Sequence, residues 1–204
     1  MKRKLFLIVA IFSVIFLWGC YPEGPQYTED LDIVVTNHNP DYNFAAKGTY
    51  AMPDRIVKIT GNMKEGDNPE FIPDATATQI IAKIASNMEN LGWKRVAVGA
   101  SPDVLLTPAE LESTTVMYYY DYWYWWYGNN YPYWGYNPPA YYDSYITGTL
   151  LMSIIDKSEL AGNGAPVRQW TGLVNGILSG KYSPERVNHL IDKAFDQSSY
   201  LKTN

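Results

Sequence analysis

The 204-residue chain has one cysteine and two histidines, and charged residues make up only 18% of it. A single cysteine excludes an internal disulfide framework and a thiolate metal cluster, and two histidines are too few for a three-histidine zinc site. Basic side chains are also scarce: 16 Lys and Arg stand against 21 Asp and Glu, for a formal charge of −5. That balance argues against nucleic acid as a partner, because its binding footprint is a concentrated basic face. The chain has no phosphate loop, dinucleotide fingerprint, nucleophile elbow or pair of metal-binding histidines. Gly162-Asn-Gly-Ala-Pro-Val fails the glycine fingerprint at its last position and reads as a hairpin loop. No catalytic residue, cofactor site or metal site is expected. The 47% of apolar residues, by contrast, is ample for one packed domain.

The amino terminus reads as an address. Met-Lys-Arg-Lys precedes 14 residues, 5–18, broken only by Ser13. A helix of that length spans about 21 Å, short of the roughly 30 Å hydrocarbon core of a bilayer, so it reads as the apolar core of a signal peptide. Leu17-Trp-Gly-Cys20 at its end resembles the lipobox of bacterial lipoproteins. The resemblance implies a signal peptide over residues 1–19, a diacylglycerol on the Cys20 sulfur, cleavage before Cys20, and a palmitate-type acylated amino terminus. Processing removes Lys2, Arg3 and Lys4, leaving 13 basic and 21 acidic side chains. Residues 20–30, rich in Pro and Gly, read as an acylated tether. Tyr21 stands where an inner-membrane retention signal carries Asp, so an outer-membrane lipoprotein facing the periplasm is expected. The membrane is then a partner through Cys20 alone.

Residues 31–204 are expected to form a single α+β domain. Residues 31–36 read as a first strand, and residues 48–52 and 55–60 as a strand pair parted by Pro53-Asp54. Ala77, Ile80, Ile81, Ile84, Met88 and Leu91 repeat at three and four residues, predicting a helix with Asp74 as N-cap and Gly92 at its stop. Short strands follow at 93–98 and 103–107, a longer one begins at 114–120, and strand-length runs cover 145–156 and 167–179. In the last of these, Trp170, Gly172 and Val174 share a face, and Gly172 and Gly176 mark bulges or close backbone contacts. Ser183-Pro184 opens a closing helix with Val187, Leu190, Ile191, Ala194 and Phe195 on one stripe. The expected architecture is an antiparallel-rich sheet with both helices on one face. His38 falls in a turn and His189 beside the apolar stripe, both as structural residues; Asp30 and Asp32 are a carboxylate pair close to the tether.

The outstanding feature lies at 118–145, where 12 Tyr and 4 Trp occur in 28 residues, half of all the aromatic residues of the chain. At about 150–250 Å² per ring they carry far more apolar area than the few hundred Å² a monomer leaves exposed. Gly128-Asn129-Asn130 is a turn signal between two aromatic runs, which predicts a long hairpin with cross-strand ring pairs. Three uses suit such a segment besides self-packing. Trp123, Trp125, Trp126, Tyr133 and Trp134 can stack on sugar rings while Asn129 and Asn130 serve hydroxyls. A Tyr-rich loop also makes a rigid protein-binding surface. Interfacial insertion suits Tyr and Trp, although the segment lacks Lys and Arg.

Several motifs together resemble the domain-of-unknown-function family 4136 of bacterial lipoproteins. They are Asp41-Tyr-Asn-Phe44 with Gly48-Thr-Tyr-Ala-Met-Pro-Asp54, Leu91-Gly-Trp93 with Pro102-Asp-Val-Leu-Leu-Thr107, and Gly148-Thr-Leu-Leu-Met-Ser-Ile-Ile-Asp156 with Val167-Arg-Gln-Trp-Thr-Gly172. The resemblance covers about residues 31–197. It implies an envelope lipoprotein and supplies no catalytic residues. The expected function is a non-catalytic binding or structural module that is lipid-anchored and touches protein or glycan through its aromatic hairpin. The alternative is a hydrolase or transferase acting on cell-wall glycans, with the hairpin as substrate platform and two carboxylates nearby in acid/base geometry.

Overall fold

The computed structural model describes residues 32–60, 68–112, 148–160, 166–178 and 182–204. The expected signal peptide over 1–19, Cys20, the expected tether and the whole aromatic segment, including Trp123, Trp125, Trp126, Asn129, Asn130, Tyr133 and Trp134, lie outside the described residues. The described elements run β1 (Val34–His38), β2 (Thr49–Ala51), β3 (Val57–Ile59), β4 (Glu70–Phe71), α1 (Asp74–Asn90), β5 (Lys94–Arg95), β6 (Val104–Leu111), β7 (Thr149–Leu160), β8 (Pro166–Val174) and α2 (Pro184–Asp196). Eight strands form one sheet in the order β1-β8-β7-β6-β2-β5, with β3 beside β6 and β4 beside β3.

The fold is α+β, as expected, but the sheet is mixed and not antiparallel-rich. β1, β8, β7 and β6 pair antiparallel, whereas β2 and β3 both run parallel to β6, and β5 parallel to β2. A parallel pair needs a crossover of a dozen or more residues, and α1, with 17 residues, supplies it between β3 and β6. The expected strand pair at 48–52 and 55–60 is therefore no hairpin. Its two halves follow one another along the same side of β6, Tyr50 opposite Val104 and Val57 opposite Ala109. Pro108, which has no N–H to give a ladder, falls in the interval where that side of β6 is unpaired.

Both helices close the same core. Ile80, Ile84 and Met88 of α1 and Val187, Leu190, Ile191 and Phe195 of α2 join Val104, Leu106, Leu150, Met152, Ile154, Trp170 and Val174 from alternate positions of β6, β7 and β8. Ser183 caps α2 by accepting from the Arg186 N–H. Asp74 does not cap α1; Pro73 holds that position, and Asp74 pairs with Arg55 instead. On the opposite face of the sheet Val57, Ile59, Leu105, Ala109, Leu151 and Ile155 are buried as well. β6 is thus covered on both sides, which is why it reads as a nearly continuous apolar run with no alternation.

Two glycines are required by contact. A Cβ on Gly172 would stand 2.6 Å from the Trp170 ring, which lies across it. Gly92 takes φ +93° after α1, and a Cβ there would meet Thr203 Oγ1 at 2.4 Å. This close approach lets the carboxy-terminal tail dock on the end of α1: Thr203 N–H donates to Leu91 O at 2.9 Å, and Trp93 Nε1 to Leu201 O at 2.7 Å.

Candidate functional site

Among the described residues, polar groups gather at the two ends of the sheet. At one end, Asp156 near the close of β7 is fully buried and accepts four hydrogen bonds. Tyr42 Oη (2.7 Å) and Lys47 Nζ (2.8 Å) reach one carboxylate oxygen, and the Ser158 N–H (2.8 Å) and Oγ (2.6 Å) reach the other. Beside it, Asp103 accepts from the Gly48 and Thr49 N–H groups and the Thr49 hydroxyl, and the Asp103 N–H returns a bond to Thr49 Oγ1. Residues 42–49 are thereby clamped to the starts and ends of strands more than fifty residues away.

The electrostatics of this cluster are those of a clamp and not of an acid–base site. Burial by itself would raise the Asp156 carboxyl, but the bonds from Lys47, Ser158 and Tyr42 outweigh it and hold it at about 2. Burial, followed by the bond to Asp156, pushes the Tyr42 hydroxyl far above its ordinary value. The bond to Asp156 likewise keeps Lys47 charged, outweighing its desolvation. Asp103 is lowered by the Thr49 hydroxyl and the Gly48 N–H. Near neutral pH none of these groups has a proton to exchange.

At the other end, Glu110 on β6 is 6% exposed, and burial raises its carboxyl while Lys58 pulls the other way. Lys58 lies between Glu110, at 4.0 Å, and Glu112, with which it forms a close ion pair. This cluster marks the foot of the aromatic segment. Leu111 at the end of β6 pairs with Thr149 at the start of β7, and Gly148 N–H donates to Leu111 O at 3.0 Å. The segment is therefore inserted between two paired strands, with both its ends side by side.

The structure leaves the remaining sequence candidates apart from these clusters. His38 stacks on the Tyr200 ring, centroids 3.7 Å apart, and His189 is exposed on α2. Asp32 is occupied by a bidentate pair with Arg186, and Asp30 lies outside the described residues. Among the described residues no three His, Cys, Asp or Glu side chains converge on a metal position. Nothing local in the sequence signalled the Asp156 clamp, since Tyr42 and Asp156 lie 114 positions apart. The one indirect sign was that they occur in the first and last of the recognised motifs.

The described residues define an α+β domain built on one mixed sheet, with a buried polar clamp around Asp156 at one end and the Lys58, Glu110 and Glu112 cluster at the other. The model of the family described as a domain of unknown function, DUF4136, matches residues 34–198, and the chain belongs to that family. Among solved structures, a DUF4136 family protein from Bacteroides thetaiotaomicron is similar over 84% of this chain and 97% of its own, at 26% identity and a TM-score of 0.62. A PelC dodecamer from Paraburkholderia phytofirmans matches over 85% of this chain and 99% of its own, at 17% identity and a TM-score of 0.42. No curated protein matches the chain.

Proposed function

We propose that the protein is a non-catalytic lipoprotein of the outer membrane, anchored through acylated Cys20 and facing the periplasm, whose Tyr/Trp segment is its contact surface for envelope protein or glycan. The observation that carries this reading is the pairing of Leu111 with Thr149. The described strands on either side of the segment pair with each other directly, so the sheet closes without any residue of the segment. The sequence supplies the anchor: each buried CH₂ of an acyl chain contributes about 0.8 kcal/mol, so two or three chains hold the protein to a bilayer without help from the acidic domain. Cross-linking in intact envelopes, comparing the natural chain with one lacking residues 121–137, tests the reading. Specific proteins or glycans are expected to disappear from the catch while near-ultraviolet circular dichroism shows the domain still folded. An identical catch from both chains refutes it.

A second reading, a hydrolase of cell-wall glycans, has one observation in its favour: Glu110, a buried carboxyl with a raised proton affinity, stands at the foot of the aromatic segment with Glu112 two residues on. It requires that the natural protein release reducing ends from cell-wall glycan and that Glu110→Gln reduce this by about a hundredfold or more. No release by the natural protein removes this reading.

A further inference from the structure

The edges of the sheet differ in how they are guarded. β5, and β4 beside β3, are only two residues long and carry Lys94, Arg95 and Glu70, the short and charged form that keeps an edge from pairing with another chain. At the opposite edge β1 is five residues long, and no charged residue or proline occurs from Ile33 to Asn39. Among the described residues no strand pairs with its outer side.

The backbone of β1 directs a defined set of groups outward. Asn175 N–H donates to Ile33 O, and Asn39 N–H to Gln169 O, so the odd-numbered residues bond to β8 and the even-numbered ones point their groups away from the sheet. Towards the end of the strand the His38 N–H is taken by the Asn37 side chain at 2.9 Å. The open stretch is therefore centred on Val34, with Asp32 and Thr36 on either side. Ile33 and Val35 stand on the sheet face opposite the helices and are the large apolar side chains exposed among the described residues, at 53% and 50%. Val35 also ends an apolar row through Leu173 and Leu151 to Ala109, a row that is buried at β6 and β7 and open at β1.

From this edge we infer that two copies of the chain pair through β1, antiparallel about a two-fold axis at Val34, and join their sheets into one. In this register Val34 exchanges hydrogen bonds with its counterpart, and Asp32 with Thr36 of the second copy. Ile33 then lies opposite Val35 of the second copy, and Val35 opposite Ile33, at positions where antiparallel side chains approach most closely. Each copy thus covers the exposed apolar pair of the other. Moving the axis to Val35 would set Ile33 against Asn37 and would need the His38 N–H that Asn37 already holds. Charge also suits a second copy here. The chain is acidic overall, at −5, but this edge is neutral, and Asp32 at its start is bound by Arg186 of its own domain, so no unpaired like charges meet across the axis. A ladder this short is small against the roughly 1,200–2,000 Å² of a stable interface, so the dimer should exchange, with a dissociation constant on the order of 10–100 μM. The pairing depends neither on the lipid anchor nor on the contact role proposed above.

The test uses two full-length variants, Ile33→Cys and Val35→Cys, purified in detergent and oxidised with copper phenanthroline at about 100 μM, separately and mixed. The natural chain, whose one cysteine is Cys20, is treated alongside as the background. Opposite positions lie about 4.5 Å apart between Cα atoms, within disulfide reach, whereas like positions are offset by two residues, about 7–8 Å, and out of reach. A disulfide-linked dimer is expected from the mixture, well above what either variant or the natural chain gives alone. Sedimentation of the natural chain should show a concentration-dependent dimer. Thr36→Pro removes an outward N–H that the domain itself does not use, and Val35→Lys sets a charge against Ile33 of the second copy. Each should weaken the dimer about tenfold or more while near-ultraviolet circular dichroism stays unchanged. A mixture that cross-links no better than its components overturns the inference, as does a dimer that both substitutions leave unaltered. In intact cells, Ile33→Cys joined to a protein other than this chain gives the edge to a foreign strand and overturns it as well.

Discussion

Trp170→Ala is expected to destabilise the domain by about 3–5 kcal/mol, the range for truncating a large buried aromatic, against a total that for domains of this kind is roughly 5–15 kcal/mol. Three losses coincide at this position. The indole is 1% exposed and packs on Phe195 at 5.5 Å between centroids, so its removal opens a cavity between β8 and α2. It also lies across Gly172, where a side chain would clash with it and where none can fill the gap it leaves. Finally, its Nε1 donates to Ser198 Oγ at 2.9 Å, and that hydroxyl in turn donates to Ala194 O and accepts from Tyr200. Trp170→Phe keeps most of the packing and gives up the N–H, so it should cost distinctly less. Urea unfolding of both variants checks this: a large shift in midpoint at unchanged slope for Ala, and a smaller one for Phe. Equal midpoints for the two would mean that the ring is not what holds α2 to the sheet.

Asp156→Asn should lower stability by about 2–3 kcal/mol at neutral pH and change its pH dependence. The amide keeps the shape but leaves Lys47 without its counter-charge and replaces an acceptor by a donor; the full penalty for breaking a buried pair, about 3–5 kcal/mol, is reduced because Lys47 is 24% exposed. The pH effect follows from the carboxyl, which lies at about 2 in the folded chain against an ordinary 3.8. A depressed carboxyl binds its proton more readily in the unfolded chain. Its contribution is therefore complete above about pH 4 and is lost as pH falls from there to about 2, a change of about 2 kcal/mol. The natural protein should lose that increment between pH 4 and pH 2, and the Asn variant should not. Parallel pH curves for the two would show that Asp156 is not held down by the clamp.

Much of the domain was legible from local pattern because the causes are local. The stripe from Ala77 to Met88 and the one from Val187 to Phe195 each repeat at helical spacing, and both stripes are the buried faces of α1 and α2. Ser183-Pro184 is a start signal that needs no tertiary partner, and Ser183 caps α2 as its chemistry requires. The alternation in β8 likewise put Trp170 and Val174 on one face, where both enter the core. The Asp74 cap was off by one position: Pro73 is the N-cap residue and Asp74 is already the first residue of α1. The strand pair at 48–60 failed for a different reason: a Pro-Asp break between two short apolar runs looks the same whether the runs fold back on each other or lie in line along a third strand.

The candidate sites divide in the same way. Composition alone exposed the concentration of Tyr and Trp and the scarcity of charge around it, since both are properties of a contiguous stretch. The Asp156 clamp depends on Tyr42 and Lys47 reaching it across 114 and 109 positions, and such a hydrogen bond carries no trace in the spacing of its partners. Glu110 would pass as an ordinary surface acid by sequence. It is buried because it falls on the same face of β6 as Val104 and Leu106, opposite Leu150, with Lys58 brought alongside by the parallel register of β3.

The sequence by itself determined the two helices and their buried stripes, the α+β class and the place of the Tyr/Trp stretch along the chain, because each is set by neighbours within one or two turns of chain. Only the tertiary structure decided that the sheet is mixed, that Tyr42 and Lys47 are clamped to Asp156 of β7, and that the end of β6 and the start of β7 lie side by side. Those three depend on which strands lie side by side, and strand order is chosen by the burial of whole faces and by the crossover through α1, not by any residue's immediate neighbours.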